Sequence, residues 1–321
     1  MRIDKSKIKK ILLITLSNLG DIILTTPVVN KLHSEFPNAV IDVMCGEPGR
    51  EVFRDHPAVG AVDAAQKIRT FSGRVKQTLS IRKKRYDLII DLKNPLTPFL
   101  AGARMHAKIT FDPTGVRHKV EEHLLKLTGL VDDPLSDIKF FISVKPEEKR
   151  YADSFVGGDW KRLVVMNPGA KSHLKRWDAF KFAKLTDMIV TEFKSRVVLV
   201  GCDEDREVVG KVVSSVTTPV EDLCSKTSLG TLAGLMSEAD LVVTNDSAPL
   251  HVASAVNAPT VAIFGPSDEK KYGPLSERHI TVTPEVPCRP CEKALCGKGP
   301  DEGCISDVDI KTVFAAVKKF L

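Results

Sequence analysis

Aromatic residues are scarce in this sequence: two Trp, three Tyr and 14 Phe make up 6% of 321 residues. A protein that stacks bases needs aromatics interleaved with its cations, and the one strongly basic stretch has only Phe71 and Tyr86. No nucleic-acid partner is expected. No segment approaches the apolar length that spans a bilayer. Met1 to Leu16 carries basic residues ahead of Ile-Leu-Leu-Ile-Thr-Leu, but the run is short and no small-residue cleavage site follows. A cytoplasmic location is expected, where seven Cys suggest thiols or a metal site more than a disulfide framework. The Gly-x-Gly-x-x-Gly dinucleotide fingerprint is missing, and no internal repeat is evident.

What is present suits a soluble two-domain protein, with 43% hydrophobic and 27% charged residues over a length too great for one ordinary core. The net charge of +6 points to an anionic partner. Acid is absent from Ala64 to Tyr86, where Lys67, Arg69, Arg74, Lys76, Arg82, Lys83, Lys84 and Arg85 collect. The ordinary reading is a solvated helix face. The sharper one is a surface for anionic lipid headgroups, at about 1 kcal/mol per basic residue near the membrane.

Short β-branched runs alternate with helical periodicity. Strands are expected at 8–16, 39–45, 59–64 and 86–92, weaker ones at 108–111 and 139–144, and a helix at 22–36. The pattern turns polar around 145–159, which sets the expected domains at 1–155 and 156–306. In the second, strands at 163–166, 197–200, 241–244 and 260–264 alternate with helices at 178–193, 204–216 and 228–238. A last helix at 307–321 follows a Cys-rich loop, 287–304. Such alternation indicates parallel sheets.

Four stretches carry chemistry. Leu241 to Thr244 reads as a buried strand, followed by Asn245-Asp246-Ser247 and Ala248-Pro249 at the start of a small-residue helix. A helix N-terminus at the carboxyl edge of a sheet suits a phosphate. His251 lies one turn on, on the face of Ser247. The plainer reading is that Asp246 and Ser247 cap a helix. Ser17-Asn18-Leu19-Gly20-Asp21 joins the first strand to the first helix. Asp21 there is either a turn residue or a base that takes a proton from an attacking hydroxyl. Asn167 to Trp177 brings Lys171, Lys175 and Arg176 to another carboxyl edge, as a solvated loop or a balance for a diphosphate. Cys288, Cys291, Cys296 and Cys304 form a candidate structural zinc set, four free thiols or an Fe–S cluster being the alternatives.

Together these stretches resemble glycosyltransferase family 9, the ADP-heptose:lipopolysaccharide heptosyltransferase family. The resemblance is carried by Ser17-Asn-Leu-Gly-Asp21 with Thr26-Pro27, Asn167-Pro-Gly-Ala170, Lys175-Arg-Trp177, Asn245-Asp-Ser-Ala-Pro-Leu-His251 and Phe264-Gly-Pro266. The Cys288/Cys291/Cys296/Cys304 loop also looks like one found in many members. The resemblance implies a GT-B fold, two Rossmann-like domains facing across a cleft, with the last helix packed back on the first domain. It implies inverting, metal-independent transfer of a heptose from ADP-heptose to a lipopolysaccharide core or related acceptor. The base then falls on Asp21, beside the acceptor-loop residues Ser17, Asn18 and Gly20. The donor falls on Lys175, Asp246, Ser247, Ala248 and His251, with Thr227, Ser228 and Leu229 at the nucleoside. The family's usual Gly after Asp-Ser is Ala248 here, which bears on donor preference. The implied partners are a nucleotide sugar, an anionic glycolipid and the inner membrane, met through Lys67 to Arg85. Rival readings are a family member using another nucleotide sugar, a sugar-nucleotide epimerase on the same architecture, and a metal- or membrane-binding scaffold that binds no nucleotide.

Overall fold

A computed structural model describes residues 4–64, 70–93, 97–102, 105–106, 117–297, 299 and 303–321. The expected strand at 108–111, with Lys67 and Arg69, lies outside them. The chain divides into two compact units, Met1–Ser143 and Val144–Leu321.

Unit 1 is built on β1 (Lys10–Ile14), β2 (Val40–Cys45), β3 (Val59–Ala64), β4 (Leu88–Asp91) and β5 (Met105–His106). They pair in parallel in the order β3-β2-β1-β4-β5. Ile11, Leu12, Leu13 and Ile14 are all buried, as a central parallel strand covered on both faces requires. The connections hold α1 (Leu19–Ile23), α2 (Thr26–Glu35), α3 (Gly49–Phe53), the basic α4 (Phe71–Lys83), α5 (Thr97–Leu100) and α6 (Lys119–Leu125).

Two expectations fail here for stated reasons. The helix expected at 22–36 is two helices, because the Thr25 hydroxyl sits 2.7 Å from both the Ile22 carbonyl and the Thr15 hydroxyl, anchoring a break after Ile23. The segment 139–144 is no strand. Its backbone finds side chains of α2 instead: Phe141 N–H donates to Thr26 Oγ1 at 3.2 Å, and Asn30 donates to the Lys139 carbonyl at 2.8 Å.

Unit 2 opens with α7 (Pro146–Asp153), where the sequence suggested a joint. Glu148 accepts the Lys145 N–H at 2.9 Å and lies over Gly230, where a Cβ would meet its carboxylate at 2.0 Å. These contacts move the boundary ahead of the expected 155/156. The sheet contains β6 (Arg162–Asn167), β7 (Ser195–Leu199), β8 (Glu221–Asp222), β9 (Leu241–Asn245), β10 (Thr260–Ile263) and β11 (His279–Val282), in the parallel order β11-β10-β9-β6-β7-β8. Between them run α8 (Ala179–Phe193), α9 (Arg206–Ser215), α10 (Leu229–Glu238), α11 (Ala248–Ala255) and α12 (Glu269–Tyr272), and α13 (Ile310–Val317) ends the series.

The core of unit 2 gathers Val164, Met166, Trp177, Phe182 and Ile189 with Val313, Phe314 and Val317. The final helix therefore belongs to this core, where the family resemblance implied the first domain. Trp177 Nε1, just ahead of α8, and Lys181 Nζ on it each donate to the Val308 carbonyl at 3.0 Å, which ties the approach to α13 onto α8.

Candidate functional site

Each sheet reverses its strand order once. In unit 1 the reversal lies between β1 and β4, and in unit 2 between β6 and β9. Ligands of open α/β sheets bind outside the carboxyl ends of the strands at such points. The loops holding Ser17 to Asp21 in unit 1, and Lys175 and Asp246 to His251 in unit 2, follow the strands at these points.

In unit 1, the loop after β1 carries Ser17 and Asn18, and α1 presents Asp21 in its first turn. Asn18 Nδ2 donates to Asp21 Oδ2 at 2.9 Å, leaving the partly exposed carboxylate room for another partner. Gly20 is buried on the inner side of the same helix. The loop after β4 brings Lys93, which the sequence reading missed. Its ammonium donates to Ser17 Oγ at 3.0 Å, and its backbone N–H is fixed by Asp91 Oδ1 at 2.8 Å. Gly46, after β2, closes the third side. A Cβ there would lie 2.3 Å from the Ser17 carbonyl oxygen, so only glycine fits.

In unit 2, side chains at the ends of β6 and β9 staple the two loops together. Asn167 Nδ2 reaches the Gly169 carbonyl and Ser247 Oγ, each at 3.0 Å. Asn245 Nδ2 donates to the Pro168 carbonyl at 2.8 Å, while its Oδ1 accepts the Trp177 N–H at 3.2 Å. The loop thus held delivers Lys175 to Asp246, with 2.7 Å between ammonium and carboxylate Oδ2. The Asp246 side chain is 4% exposed and that of Lys175 33%. Oδ2 receives no well-aligned hydrogen bond, so the contact is Coulombic first. The Lys175 ammonium also stands 5.9 Å from the Tyr272 ring centroid.

Ser247 is the N-cap of α11, but its side chain makes no capping bond. Pro249 has no N–H, and the Leu250 N–H is taken by the Ser247 carbonyl at 3.0 Å. The first turn therefore offers an anion the Ala248 N–H rather than a full set of donors. His251 is buried one turn on.

Thr227, Ser228 and Leu229 lie elsewhere on the sheet, beyond the edge strand β8. Ser228 caps α10 by accepting the Thr231 N–H at 3.0 Å and donates to Glu148 at 2.5 Å, and Leu229 is buried. The side chains of Ser228 and Leu229 are committed to the fold.

All seven Cys are free thiols. Among the described residues no three His, Cys, Asp or Glu side chains are arranged to hold a metal ion. Burial pushes the Cys304 thiol up, and the neighbouring Arg289 opposes that rise. No described helix is long and apolar enough to cross a membrane.

The profile of glycosyltransferase family 9 (heptosyltransferase) matches residues 74–300. The chain belongs to this family. Among curated relatives, lipopolysaccharide heptosyltransferase 3 of Escherichia coli is 27% identical over 337 residues, covering 94% of this chain and 96% of the relative. The solved structure of the family 9 glycosyltransferase from Veillonella parvula aligns with a TM-score of 0.84 at 27% identity, over 100% of this chain and 98% of that one. The Escherichia coli ADP-heptose lipopolysaccharide heptosyltransferase II aligns at 0.76 with 24% identity, over 97% and 98%. The fold is accordingly GT-B with two Rossmann-like units, and the chain is a glycosyltransferase.

Proposed function

We propose that this family 9 member is an inverting, metal-independent transferase moving a heptose from ADP-heptose to a lipopolysaccharide core or related surface-glycan acceptor. The observation that carries the reading is the Lys175–Asp246 pair beside Ser247 and the start of α11, at the switch point of unit 2. The heptosyltransferase names of the relatives support the sugar and the acceptor class.

The chemistry follows from the residues. Asp21 takes the proton of the acceptor hydroxyl, whose oxygen attacks the anomeric carbon on the face opposite the nucleotide. The bond to the diphosphate breaks, and its electron pair leaves with ADP. Negative charge grows on the departing phosphate, where Lys175, the Ala248 N–H and the positive end of α11 stabilise it. Asp246 and His251 complete the donor pocket, and the segment Thr227–Leu229 flanks the nucleoside through its backbone. The step uses no cofactor.

Incubation with ADP-heptose and a panel of core oligosaccharides, read by product mass, tests the proposal. One added heptose is expected, and Asp21→Ala is expected to lower turnover by about 10²–10⁴-fold with ADP binding nearly intact. Unchanged turnover removes Asp21 as the base. Transfer from another nucleotide sugar in place of ADP-heptose assigns the different donor that Ala248 allows. Conversion of the sugar nucleotide without acceptor selects an epimerase.

The Cys loop is a structural zinc site in this reading on the sequence spacing of Cys288, Cys291, Cys296 and Cys304 alone, since these described side chains are not arranged around one metal position. One zinc per chain is expected on metal analysis; a metal-free chain of unchanged melting temperature removes it. The enzyme works on the cytoplasmic face of the inner membrane, with the basic helix α4 against anionic lipid.

A further inference from the structure

We propose that Asn167 is a positioning residue of the donor site, which turns the Ser247 hydroxyl into a hydrogen-bond donor for the diphosphate. The inference rests on the reading of unit 2 as the donor unit.

Asn167 ends β6 directly at the switch point, and it is 1% exposed. Its amide nitrogen faces three oxygens: the Gly169 carbonyl at 3.0 Å, Ser247 Oγ at 3.0 Å and Thr244 Oγ1 at 3.3 Å. A carbonyl only accepts, so the Gly169 contact fixes which end of the amide points this way. The other end, Oδ1, is buried with no hydrogen-bond partner among the described residues. A strand-end residue chosen for packing alone would not strand a buried carbonyl, since an unsatisfied polar atom is costly. Its amide is retained for what the nitrogen does.

That nitrogen has two hydrogens, and Ser247 Oγ takes one. A hydroxyl has one hydrogen and two acceptor sites. With the Asn167 amide donating to it, Ser247 Oγ turns its own hydrogen elsewhere. The nearest alternative acceptor, the Asn245 carbonyl, is 3.4 Å away, at the margin of a hydrogen bond. The same amide holds Ser247 away from the usual helix-capping bond, which is absent here. The hydroxyl is therefore poised to donate, and a phosphate oxygen, which only accepts, is the matching ligand. Because Pro249 removes one backbone donor from the first turn, this hydroxyl carries more of the recognition than in an ordinary anion-binding helix.

A double-mutant cycle reads the idea directly, with calorimetric ADP affinity and donor KM measured on the full chain. Asn167→Ala is expected to raise the ADP Kd and donor KM about tenfold, the effect of losing one hydrogen bond to a charged group. In a Ser247→Ala background the same change is expected to cost less than about twofold. Equal losses in both backgrounds mean that Asn167 merely braces the loop, and overturn the proposal. So does an unchanged affinity in Asn167→Ala. Should that variant melt below the assay temperature, Asn167→Val enters the same cycle with the same two outcomes. If the unaltered chain binds no ADP, the donor reading itself has failed, which separates that failure from this one.

Discussion

Lys175 and Asp246 show how one pair serves both folding and binding. The carboxylate is buried and the ammonium is its close partner, so removing the lysine leaves a buried charge uncompensated. Lys175→Met is expected to lower stability by about 2 kcal/mol and to weaken ADP binding about tenfold. Adding Asp246→Asn neutralises the stranded carboxylate. The double variant should recover the melting temperature and not the affinity, because nothing replaces the ammonium at the phosphate. Recovery of both in a nucleotide titration would make the pair structural and take Lys175 out of the donor site. Sequence spacing brought Lys175 and Asp246 forward separately. Their contact is set by Asn167 and Asn245, whose roles depend on strands that are neighbours only in the folded sheet. Lys93 and Tyr272 were missed for the same reason.

At the scale of elements, the strands β1 to β4, β6, β7, β9 and β10 and the helices α8 and α10 were legible from periodicity and caps, whereas the edge strands β5 and β11 were not. What was not legible depended on distant partners. The segment at 145–159 reads as a polar joint, yet α7 forms there because Glu148 fills the space above Gly230. The helix α4 is the element whose sequence reading gained most. Val75, Leu79 and Arg82 stand four and three residues apart, on one stripe. Arg82 flanks Gly102, just after α5, where Phe99 is 74% and Leu100 62% exposed. Basic residues alone would give a salt-sensitive attraction; exposed apolar side chains beside them fit a lipid interface. Co-sedimentation with phosphatidylglycerol vesicles is expected, falling roughly tenfold for Leu79→Ser with Phe99→Ser and falling further in high salt. Equal binding to neutral vesicles, or none to either, removes the membrane contact.

The whole molecule carries two cores, so heating is expected to give two transitions that respond to different agents. In unit 1, burial and then the neighbouring His33 hold His56 down to about 4, and burial holds His123 down to about 3. His56 is kept neutral by geometry as well: Nδ1 accepts the Ala58 N–H at 3.2 Å while Nε2 meets Asn30 Oδ1 at 2.9 Å. An unfolded histidine titrates near 6.5, so below that pH the unfolded chain binds the proton and the folded one does not. The stability of unit 1 is thus complete above pH 6.5 and declines as the pH falls toward 4, by up to about 1.4 kcal/mol per pH unit for each histidine. ADP is expected to act on the other transition, stabilising unit 2 by about 2.7 kcal/mol at a hundred times its Kd. Scanning calorimetry at pH 7.5 and 5, with and without ADP, separates the two. Acid should lower one transition, nucleotide should raise the other, and His123→Leu should flatten only the acid response. A nucleotide shift confined to the acid-sensitive transition would move the donor site to unit 1 and overturn the assignment of the two sheets.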